Sequence, residues 1–380
     1  MMKGRSECPF FVRLMVRSLR VSSHYLDTVN SAVKRCGYPS QKTFSADVGP
    51  SLSTVKKFLK GGPVDYENFR ELCDRLSLDW QTVVSKASEC SATPTAQAND
   101  LAMFNTGMPI ARPACFFGRT KELTRCFALL KRRPLQNIAI IGQRRSGKTS
   151  LLKQLASITT VPIEQLRPHQ KSDWLPQPAH YRWVFIDFQD ARFANREGII
   201  HYLLKALGIA FDGPVDLALF MELVSEHLHQ PTLILLDEIG AGLQRCPDLD
   251  DIFWDSLRSL ATHQTGGNLA FVLSSRLPPT QLAYSTGHSS PFFNIFGYAT
   301  TLGPLSDPEA KQLIASSPIP FSAVDAEWIL EHSQGWPFLL QVLCTVRLIA
   351  LENRHSDTNW QVEGLEQINT FQQTSQTVLV

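Results

Sequence analysis

The stretch IAIIGQRRSGKTSLLKQL, from Ile138 to Leu155, constrains the fold of this chain more than any other feature. Four apolar residues lead into Gly142, four polar residues follow, and Gly147-Lys148-Thr149 opens an amphipathic run. This spacing fits the pattern G-x-x-x-x-G-K-[ST], in which a glycine-rich loop turns its backbone N–H groups inward around a phosphate. The pattern therefore predicts a strand, a phosphate-binding loop and a helix in that order.

The side chains of this loop have separate expected roles. Lys148 would reach the β- and γ-phosphates of a nucleotide, and the Thr149 hydroxyl would bind Mg²⁺. The start of the helix adds the positive end of its dipole. The sequence does not decide whether Arg144 and Arg145 face a partner, a nucleic acid or water. The residues predicted to surround ATP or ADP are Gly142, Gln143, Arg144, Arg145, Ser146, Gly147, Lys148, Thr149 and Ser150.

A second motif, TLILLDEIG, follows about ninety residues later, from Thr232 to Gly240. Its apolar residues predict a buried strand that ends in two adjacent carboxylates. Asp237 fits a metal-binding role at the end of the strand, and Glu238 fits a general base that polarises an attacking water. The sequence offers nothing that resembles a pocket for an acceptor hydroxyl. Hydrolysis of ATP is therefore favoured over phosphoryl transfer.

A third strand candidate, NLAFVLSSR, ends in Ser274, Ser275 and Arg276. Ser274 is predicted to sense the γ-phosphate, and Arg276 is predicted to stabilise charge in the transition state, either in its own site or in a neighbour's. The alternative is a strand end followed by ordinary loop residues. The predicted catalytic residues are thus Lys148, Glu238 and Arg276.

Strand-like and helix-like runs alternate from Cys115 onward, which predicts an α/β domain with a parallel sheet. Strands are predicted at 138–141, 183–188, 233–236, 269–273 and near 300–302, and helices at 151–158, 199–207, 217–228 and 252–261. After Gly303 the pattern is helical only. The sequence SDPE at 306–309 fits a capping box with a proline in the first turn.

The composition describes a globular protein with more than one domain. The chain has 380 residues, of which 43% are hydrophobic and 19% are charged. No apolar run approaches the roughly 20 residues of a membrane span, and the first residues lack the pattern of a signal peptide. The eight cysteines form no C-x-x-C pair, which argues against zinc and fits a reducing cytoplasm.

Positive charge is concentrated near the N-terminus. The net charge is +2 overall, whereas residues 1–60 hold eleven basic and three acidic side chains, a net charge of +8. Such asymmetry suggests an acidic partner, and a solvated surface is the alternative. In residues 15–90, apolar and polar residues alternate at helical spacing. Residues 91–113 are rich in Ser, Thr, Ala and Pro without a period, which indicates a linker.

Residues 116–355 resemble the AAA-like and STAND group of P-loop ATPases, close to archaeal-type ATPases and their cyanobacterial relatives. The resemblance rests on FFGRTKEL, GQRRSGKTSLL, LILLDEIG, FVLSSR, LGPLSDPEAKQLI and EHSQGWPFLLQVLC, in that order. It implies an ASCE-type parallel sheet and a helical or winged-helix lid. Gly335 and Pro337 match the G-x-P motif of such lids, so Pro337 would contact the nucleotide and hold an ADP-bound resting state. Pro337 would also suit the first turn of a buried helix.

The N-terminal region resembles a cyanobacterial-type helix-turn-helix module that precedes such ATPase cores. Its first helix would be 41–47, its turn 48–50 and its second helix 51–60. Phe44, Val48, Val55 and Phe58 would form the apolar contact. The residues left to face DNA are Ser51, Ser53, Thr54, Lys56, Lys57 and Lys60. Related three-helix modules bind proteins instead, so DNA and protein partners both remain open.

Two functions follow from these patterns. One is an ATP-hydrolysing switch that couples nucleotide state to assembly as a homo-oligomer and to a partner or DNA. The other is a DNA-binding AAA-type ATPase in a mobile-element or transcription-regulating role. A plain adaptor with a degenerate ATPase is disfavoured because the motif residues are intact.

The predicted organisation is a disordered extension or misassigned start at 1–14, an all-α helix-turn-helix domain at 15–90, a linker at 91–113, a core at 114–303, a lid at 304–355 and a polar tail at 356–380.

Overall fold

A computed structural model of the chain describes residues 18–19, 21, 25–38, 40–48, 52–62, 64–76, 78, 83, 104–167, 170–354 and 358–377. These residues belong to two compact units, Met1–Ala98 and Asn99–Val380. The predicted sheet and lid lie together in the second unit. The predicted extension at 1–14, the first part of the predicted linker and the turn residues Gly49 and Pro50 lie outside the described residues.

The N-terminal unit contains the two helices predicted for the helix-turn-helix. Its helices are α1 (Leu26–Arg35), α2 (Gln41–Val48), α3 (Leu52–Leu59) and α4 (Tyr66–Arg75). The four apolar residues predicted to join α2 and α3 are all buried, and they share one core with Phe69 and Leu72 of α4. The assignment of these helices to a DNA-binding module remains a prediction.

The prediction that this unit is all-α is wrong in one respect. Strand β1 (Ser18–Leu19) pairs antiparallel with β2 (Val64–Asp65) just before α4. A strand of two residues cannot show the alternation of apolar and polar side chains by which strands are found in a sequence. The ribbon was therefore invisible to pattern analysis.

The second unit is built on a five-stranded parallel sheet, as predicted. Its strands are β3 (Ile138–Gly142), β4 (Arg182–Asp187), β5 (Thr232–Asp237), β6 (Leu269–Ser275) and β7 (Tyr298–Leu302), in the order β4-β5-β6-β3-β7. Every residue of the inner strands β3, β5 and β6 is buried, which suits a parallel sheet covered on both faces. Strand β6 lies between the phosphate-loop strand and the acidic strand, which is the predicted ASCE arrangement.

Helices cover both faces of this sheet. They are α5 (Thr120–Leu130), α6 (Lys148–Ser157), α7 (Arg196–Leu207), α8 (Leu217–His227), α9 (Ile239–Arg245), α10 (Asp251–Ser259) and α11 (Pro279–Ser285). Asn195, Asp216 and Asp250 accept backbone N–H groups at the starts of α7, α8 and α10, which explains where these helices begin. One apolar core lies on each side of the sheet.

The helices predicted to form a lid follow β7 and have their own apolar core, and they are called the lid below. Its helices are α12 (Asp307–Ile314), α13 (Ala323–Ser333), α14 (Pro337–Glu352) and α15 (Asn359–Thr377). The capping box predicted at 306–309 is present, with Ser306 and Glu309 bonded reciprocally. No strand occurs in the lid residues that the structure describes, so the lid is helical and the winged-helix alternative does not apply.

The tail predicted at 356–380 differs most from the structure. Helix α15 packs on α14, and its Trp360 and Ile368 are buried in the lid core. The Arg347 guanidinium lies 5.1 Å from the centre of the Trp360 ring. The polar composition of this segment led to the prediction of a tail, whereas Trp360 and Ile368 pack into the lid core and make it part of the folded unit.

The end of the predicted linker is also part of the folded unit. The Phe104 and Phe321 rings stack with centres 6.2 Å apart, and the Asn105 N–H donates to the Gln341 side chain at 2.9 Å. Residues 104–113 thus pack against the lid and the core. No helix in the described part of the chain is both long enough and apolar enough to cross a membrane.

Candidate nucleotide site

The backbone of the phosphate loop has a close approach and left-handed conformations that most side chains would not tolerate. A Cβ atom on Gly142 would lie 2.5 Å from Ser146 Oγ and 3.2 Å from the Leu302 carbonyl oxygen. Gly147 has a φ of +95°, and Arg145 has a φ of +64°; such conformations favour glycine. The Ser146 hydroxyl is buried and has no hydrogen-bond partner among the described residues. The tight loop therefore leaves unsatisfied polar capacity where a phosphate would fit.

Lys148 begins helix α6 and is buried, with 4% of its surface exposed. Its ammonium nitrogen donates to the Gln143 carbonyl at 3.2 Å and lies 3.7 Å from Glu238 Oε1. Burial lowers the pKa of Lys148, and the neighbouring Glu238 carboxylate opposes that shift. The charges of Glu238 and Asp237 oppose the lowering, but burial remains the largest cause, so this buried cation favours an anionic ligand.

Asp237 ends strand β5 with only 1% of its surface exposed. The Ser274 hydroxyl, from the adjacent strand β6, donates to Asp237 Oδ1. Burial raises the pKa of Asp237, whereas hydrogen bonds from Ser274 and Thr149 oppose the shift. The insertion of β6 between β3 and β5 thus brings together three residues that the sequence predicted for the site.

Glu238 occupies a strained position directly after the strand. Its φ is +50°, in the left-handed region that non-glycine residues seldom adopt. The Glu238 N–H donates to Ser274 Oγ at 3.1 Å, which helps to hold this conformation. About a quarter of its side chain is exposed, at 24%, and its Oε1 lies 3.7 Å from the Lys148 ammonium nitrogen. The strain therefore presents the carboxylate at the phosphate loop.

The other predicted residues on the sheet edge are more exposed. Gln143, Arg144 and Arg276 are all accessible to solvent. Arg276 nevertheless lies close enough that its charge contributes to the lowered pKa of Lys148. Its position at the end of β6 places it beside the site without a direct contact to Lys148.

The lid reaches the phosphate loop at the start of α14. Gly335 has a φ of +70°, and its carbonyl accepts the Leu305 N–H at 2.8 Å. Pro337 then occupies the first turn of α14. The next residue, Phe338, places the centre of its ring 3.9 Å from the Arg145 guanidinium carbon. This cation–π contact joins the loop to the lid.

Residues 104–113 contact the helix that follows the loop. The Ile110 N–H donates to Ser150 Oγ at 3.0 Å, and Ser157 Oγ donates to the Ala111 carbonyl at 3.4 Å. Ser150, which the sequence assigned to the nucleotide, is therefore engaged by the preceding segment in this structure. That segment links the lid to helix α6.

Three residues near the site were not selected from the sequence. Phe338 follows the G-x-P motif but looks like any apolar helix residue. Asp187 lies opposite Asp237 in the β4–β5 register, and its charge contributes to the raised pKa of Asp237. Arg119 lies in the segment FFGRTKEL, and the resemblance of this segment to a motif of P-loop ATPases is the sequence signal that marks it.

The buried Arg119 side chain contacts three parts of the unit, namely the phosphate loop, Gly303 and helix α5. Its Nη2 donates to the Ser146 carbonyl at 3.2 Å and to the Gly303 carbonyl, and its Nη1 lies 3.4 Å from Glu122. Burial lowers the pKa of Arg119. Arg119 thus ties the phosphate loop to the point where the lid begins.

The donor atoms present fit a magnesium ion held jointly with phosphate. Thr149 and Asp237 supply a hydroxyl and a carboxylate, the hard oxygen donors that Mg²⁺ prefers. Among the described residues there is no group of three His, Cys, Asp or Glu side chains that could hold a metal alone. A few protein oxygens completed by phosphates and water is the usual arrangement for Mg²⁺.

Five of the six residues predicted to face DNA are described by the structure, and they lie on and just after α3. Ser53, Lys56, Lys57 and Lys60 are exposed, and Thr54 is half-buried. Ser51 lies outside the described residues. The three lysines therefore have the exposure that a phosphate contact requires.

Comparisons with known proteins bear on the fold. No family model and no curated protein matches the chain. A Walker-type ATPase from Pyrococcus abyssi superposes with a TM-score of 0.52 at 15% identity, covering 73% of this chain and 79% of that one. The chain has the fold of a Walker-type ATPase. Cdc6p from Pyrobaculum aerophilum gives a TM-score of 0.45 at 16% identity over 66% of each chain. Domain III of Thermotoga maritima DnaA gives 0.43 at 15% identity, over 66% of this chain and 92% of that domain.

Proposed function

We propose that the chain is an ATP-binding, ATP-hydrolysing switch of the AAA-like or STAND kind, in which the bound nucleotide sets the position of the lid. The observation that carries the proposal is the contact between Arg145 and Phe338, whose ring centre lies 3.9 Å from the guanidinium carbon. Because this contact joins the phosphate loop to the first turn of α14, a change at the phosphates reaches the lid directly.

The chemistry would be divided between two buried or half-buried side chains. Lys148 would neutralise negative charge on the β- and γ-phosphates, which its desolvated position makes effective. Glu238 would orient the attacking water and accept its proton. The Glu238 Oε1 atom lies 3.7 Å from the Lys148 ammonium nitrogen. Phosphates that take over Lys148 would release the carboxylate for this role.

Mg²⁺ held by Thr149 and Asp237 would neutralise the phosphate oxygens when the nucleotide is bound. Ser274, which bonds to Asp237 and to the Glu238 N–H, would hold both carboxylates in register. Pro337 would contact the nucleotide from the lid. Arg276, exposed at the end of β6, is suited to a neighbouring copy in a homo-oligomer formed in the ATP state.

The test is nucleotide content and turnover of the full-length protein. We expect the purified protein to retain ADP and to hydrolyse ATP more slowly than about 1 s⁻¹, at the low end of enzyme rates. Lys148→Ala should lower turnover by about 100-fold or more. Lys153→Ala, on the same helix, is the matched control and should leave turnover unchanged. Rapid turnover with freely exchanging nucleotide would contradict the switch, and an unaffected Lys148→Ala protein would contradict the ATPase.

A second function is favoured by the lysines of the N-terminal unit. Lys56, Lys57 and Lys60 are exposed at the end of α3 and just beyond it, as expected of a helix that contacts phosphates. In this alternative the chain is a DNA-binding ATPase with a role in a mobile element or in transcription. Both functions are cytoplasmic; the DNA-binding ATPase requires α3 to bind DNA, whereas the switch allows α3 to bind either DNA or a protein partner.

A further inference from the structure

An open cleft of about 500 Å³ lies in the second unit and is separate from the nucleotide site. Its walls come from the start of α5, from the segment between α6 and β4, and from α12 of the lid. None of the phosphate-loop residues 142–150 lines it. The volume is within the range of pockets that hold metabolite-sized molecules.

One wall of the cleft is positively charged. Arg167 and Lys171 line it, and no acidic side chain does. Arg167 lies over the Phe117 ring at 3.9 Å and donates to the Phe116 carbonyl at 2.6 Å. Its Nε–H is buried and has no hydrogen-bond acceptor among the described residues. The guanidinium is therefore held in place by the fold while part of its donor capacity is unused.

The same wall contains a second unused donor. The Trp174 indole N–H is buried without an acceptor in the described part of the chain. The Trp174 ring is fixed by stacking on Phe127, with centres 4.9 Å apart. Lys171 is 3.6 Å from Asp173, but both side chains are largely exposed, so this pair neutralises the lysine weakly. Buried donors without acceptors are rare in proteins, and here they lie in a wall that Arg167 and Lys171 make positively charged and therefore attractive to an anion.

The remaining lining is mixed. Leu123 and Ile158 provide apolar surface, while Thr120, Thr124 and Ser316 provide hydroxyl groups. A carboxylate or phosphate group would be recognised by the cationic wall, and an apolar body would lie against Leu123 and Ile158. This combination selects organic anions over inorganic ones.

The cleft is connected to the nucleotide site through its own lining. Gly118 and Thr120 flank Arg119, whose guanidinium holds the Ser146 and Gly303 carbonyls. The Thr120 N–H donates to Glu309 Oε1 at 3.3 Å. Glu309 belongs to α12, the same lid helix that brings Gln312 to the cleft. A ligand there would touch both the core and the lid.

We propose that this cleft binds a small organic anion with an apolar body, and that the bound anion holds the lid closed over the nucleotide. Binding stands on the cleft alone, whereas the effect on the lid rests on the proposed function. A ligand that contacts core and lid together has higher affinity for the closed state, so it shifts the population toward that state.

The probe is anilinonaphthalene sulfonate, an aromatic anion whose fluorescence rises on binding, titrated into the full-length protein saturated with ADP. We expect a single site. Lys171→Glu should weaken it at least about fivefold through charge reversal, and Ala315→Trp should fill the cleft and abolish it. Both positions are exposed, so folding is not at risk. Lys205→Glu, which makes the same charge change outside the cleft, should bind like the unmodified protein. Absence of binding, or equal binding by all variants, overturns the site.

A second arm measures release of radiolabelled ADP with and without the sulfonate. Slower release in the unmodified protein, lost in Ala315→Trp, is the expected result. Binding of the sulfonate without any change in ADP release would overturn the coupling to the lid while leaving the site. If the protein does not retain ADP at all, the proposed function fails. Repeating the sulfonate titration without nucleotide then shows whether the cleft still binds the anion, so the two failures can be told apart.

Discussion

At the scale of single residues, the candidate nucleotide site holds two buried groups, Lys148 and Asp237, in surroundings that favour their neutral forms. Burial lowers the pKa of Lys148 and raises the pKa of Asp237. Each shift means that the folded protein carries an electrostatic cost while the group is charged. A nucleotide and Mg²⁺ would supply the opposite charges. The site is therefore expected to be destabilising when empty and stabilising when filled.

Asp237→Asn tests this cost. We expect it to raise the melting temperature of the nucleotide-free protein near neutral pH by about 2–4 °C, the shift that 1 kcal/mol produces in a unit of roughly this size. Because the folded pKa of Asp237 lies above its ordinary value of 3.8, the cost is fully present at pH values above the folded pKa. It disappears below about pH 3.8, where both states are protonated.

The measurement is thermal unfolding followed by circular dichroism from pH 4 to pH 8, without nucleotide or Mg²⁺. The increase in melting temperature caused by Asp237→Asn should shrink as the pH falls. Asp212→Asn, which removes an exposed carboxylate, should show no such trend. A gain of the same size at every pH, or a loss at neutral pH, would show that burial of Asp237 is not the cause.

Glu238→Gln separates binding from hydrolysis. The amide keeps the shape of the side chain but cannot accept a proton, so we expect turnover to fall by about 10²- to 10⁴-fold. ATP binding should persist, because Lys148 and the loop are unchanged. Single-turnover assays with equilibrium dialysis measure both properties, and Glu226→Gln serves as the exposed control. Turnover within a few-fold of the unmodified protein would remove Glu238 from the role of base.

At the scale of elements, the first turn of α14 and the phosphate loop are in direct contact. Phe338 lies against Arg145, and Arg145 is held at a φ of +64° within the loop. The Arg145–Phe338 pair is one direct side-chain contact between the loop and α14. Residues 104–111 provide a second connection, since they contact Gln341 of the lid and Ser150 of α6.

Arg145→Gln is expected to speed release of ADP by about two- to fivefold, the loss of one partly exposed cation–π contact. Arg144→Gln removes the same charge one residue away and is the matched control. Stopped-flow release of a fluorescent ADP analogue measures the rate. If both variants release ADP equally fast, the effect belongs to loop charge and not to the contact with Phe338.

At the scale of the whole molecule, the N-terminal and ATPase units pose the question of what α3 binds. We expect the full-length protein to bind duplex DNA if the exposed lysines contact phosphates. Replacing Lys56, Lys57 and Lys60 with alanine should then reduce the slope of log affinity against log salt by roughly two to three, since each phosphate contact contributes about 0.9.

Binding is measured by fluorescence anisotropy across a salt series, in ATP and in ADP. Replacing Lys121, Arg125 and Lys131 with alanine removes the same charge from α5 and the residue after it and should leave the slope unchanged. ATP-dependent binding would favour the DNA-handling function. No binding in either nucleotide state would assign α3 to a protein partner and favour the switch.

The sequence by itself determined the parallel sheet and the residues at its edge. The phosphate loop, the strand that ends in Asp237 and the strand that ends in Ser275 are each marked by a local pattern, because buried parallel strands are continuous apolar runs and a phosphate loop needs glycines at set spacing. Only the tertiary structure decided that Ser274 bonds to Asp237, that the Phe338 ring contacts the Arg145 guanidinium and that Arg119 joins the loop to the start of the lid. It also decided that the polar segment after residue 358 is a helix. These contacts join residues far apart in the chain, and neither partner carries a local pattern that names the other.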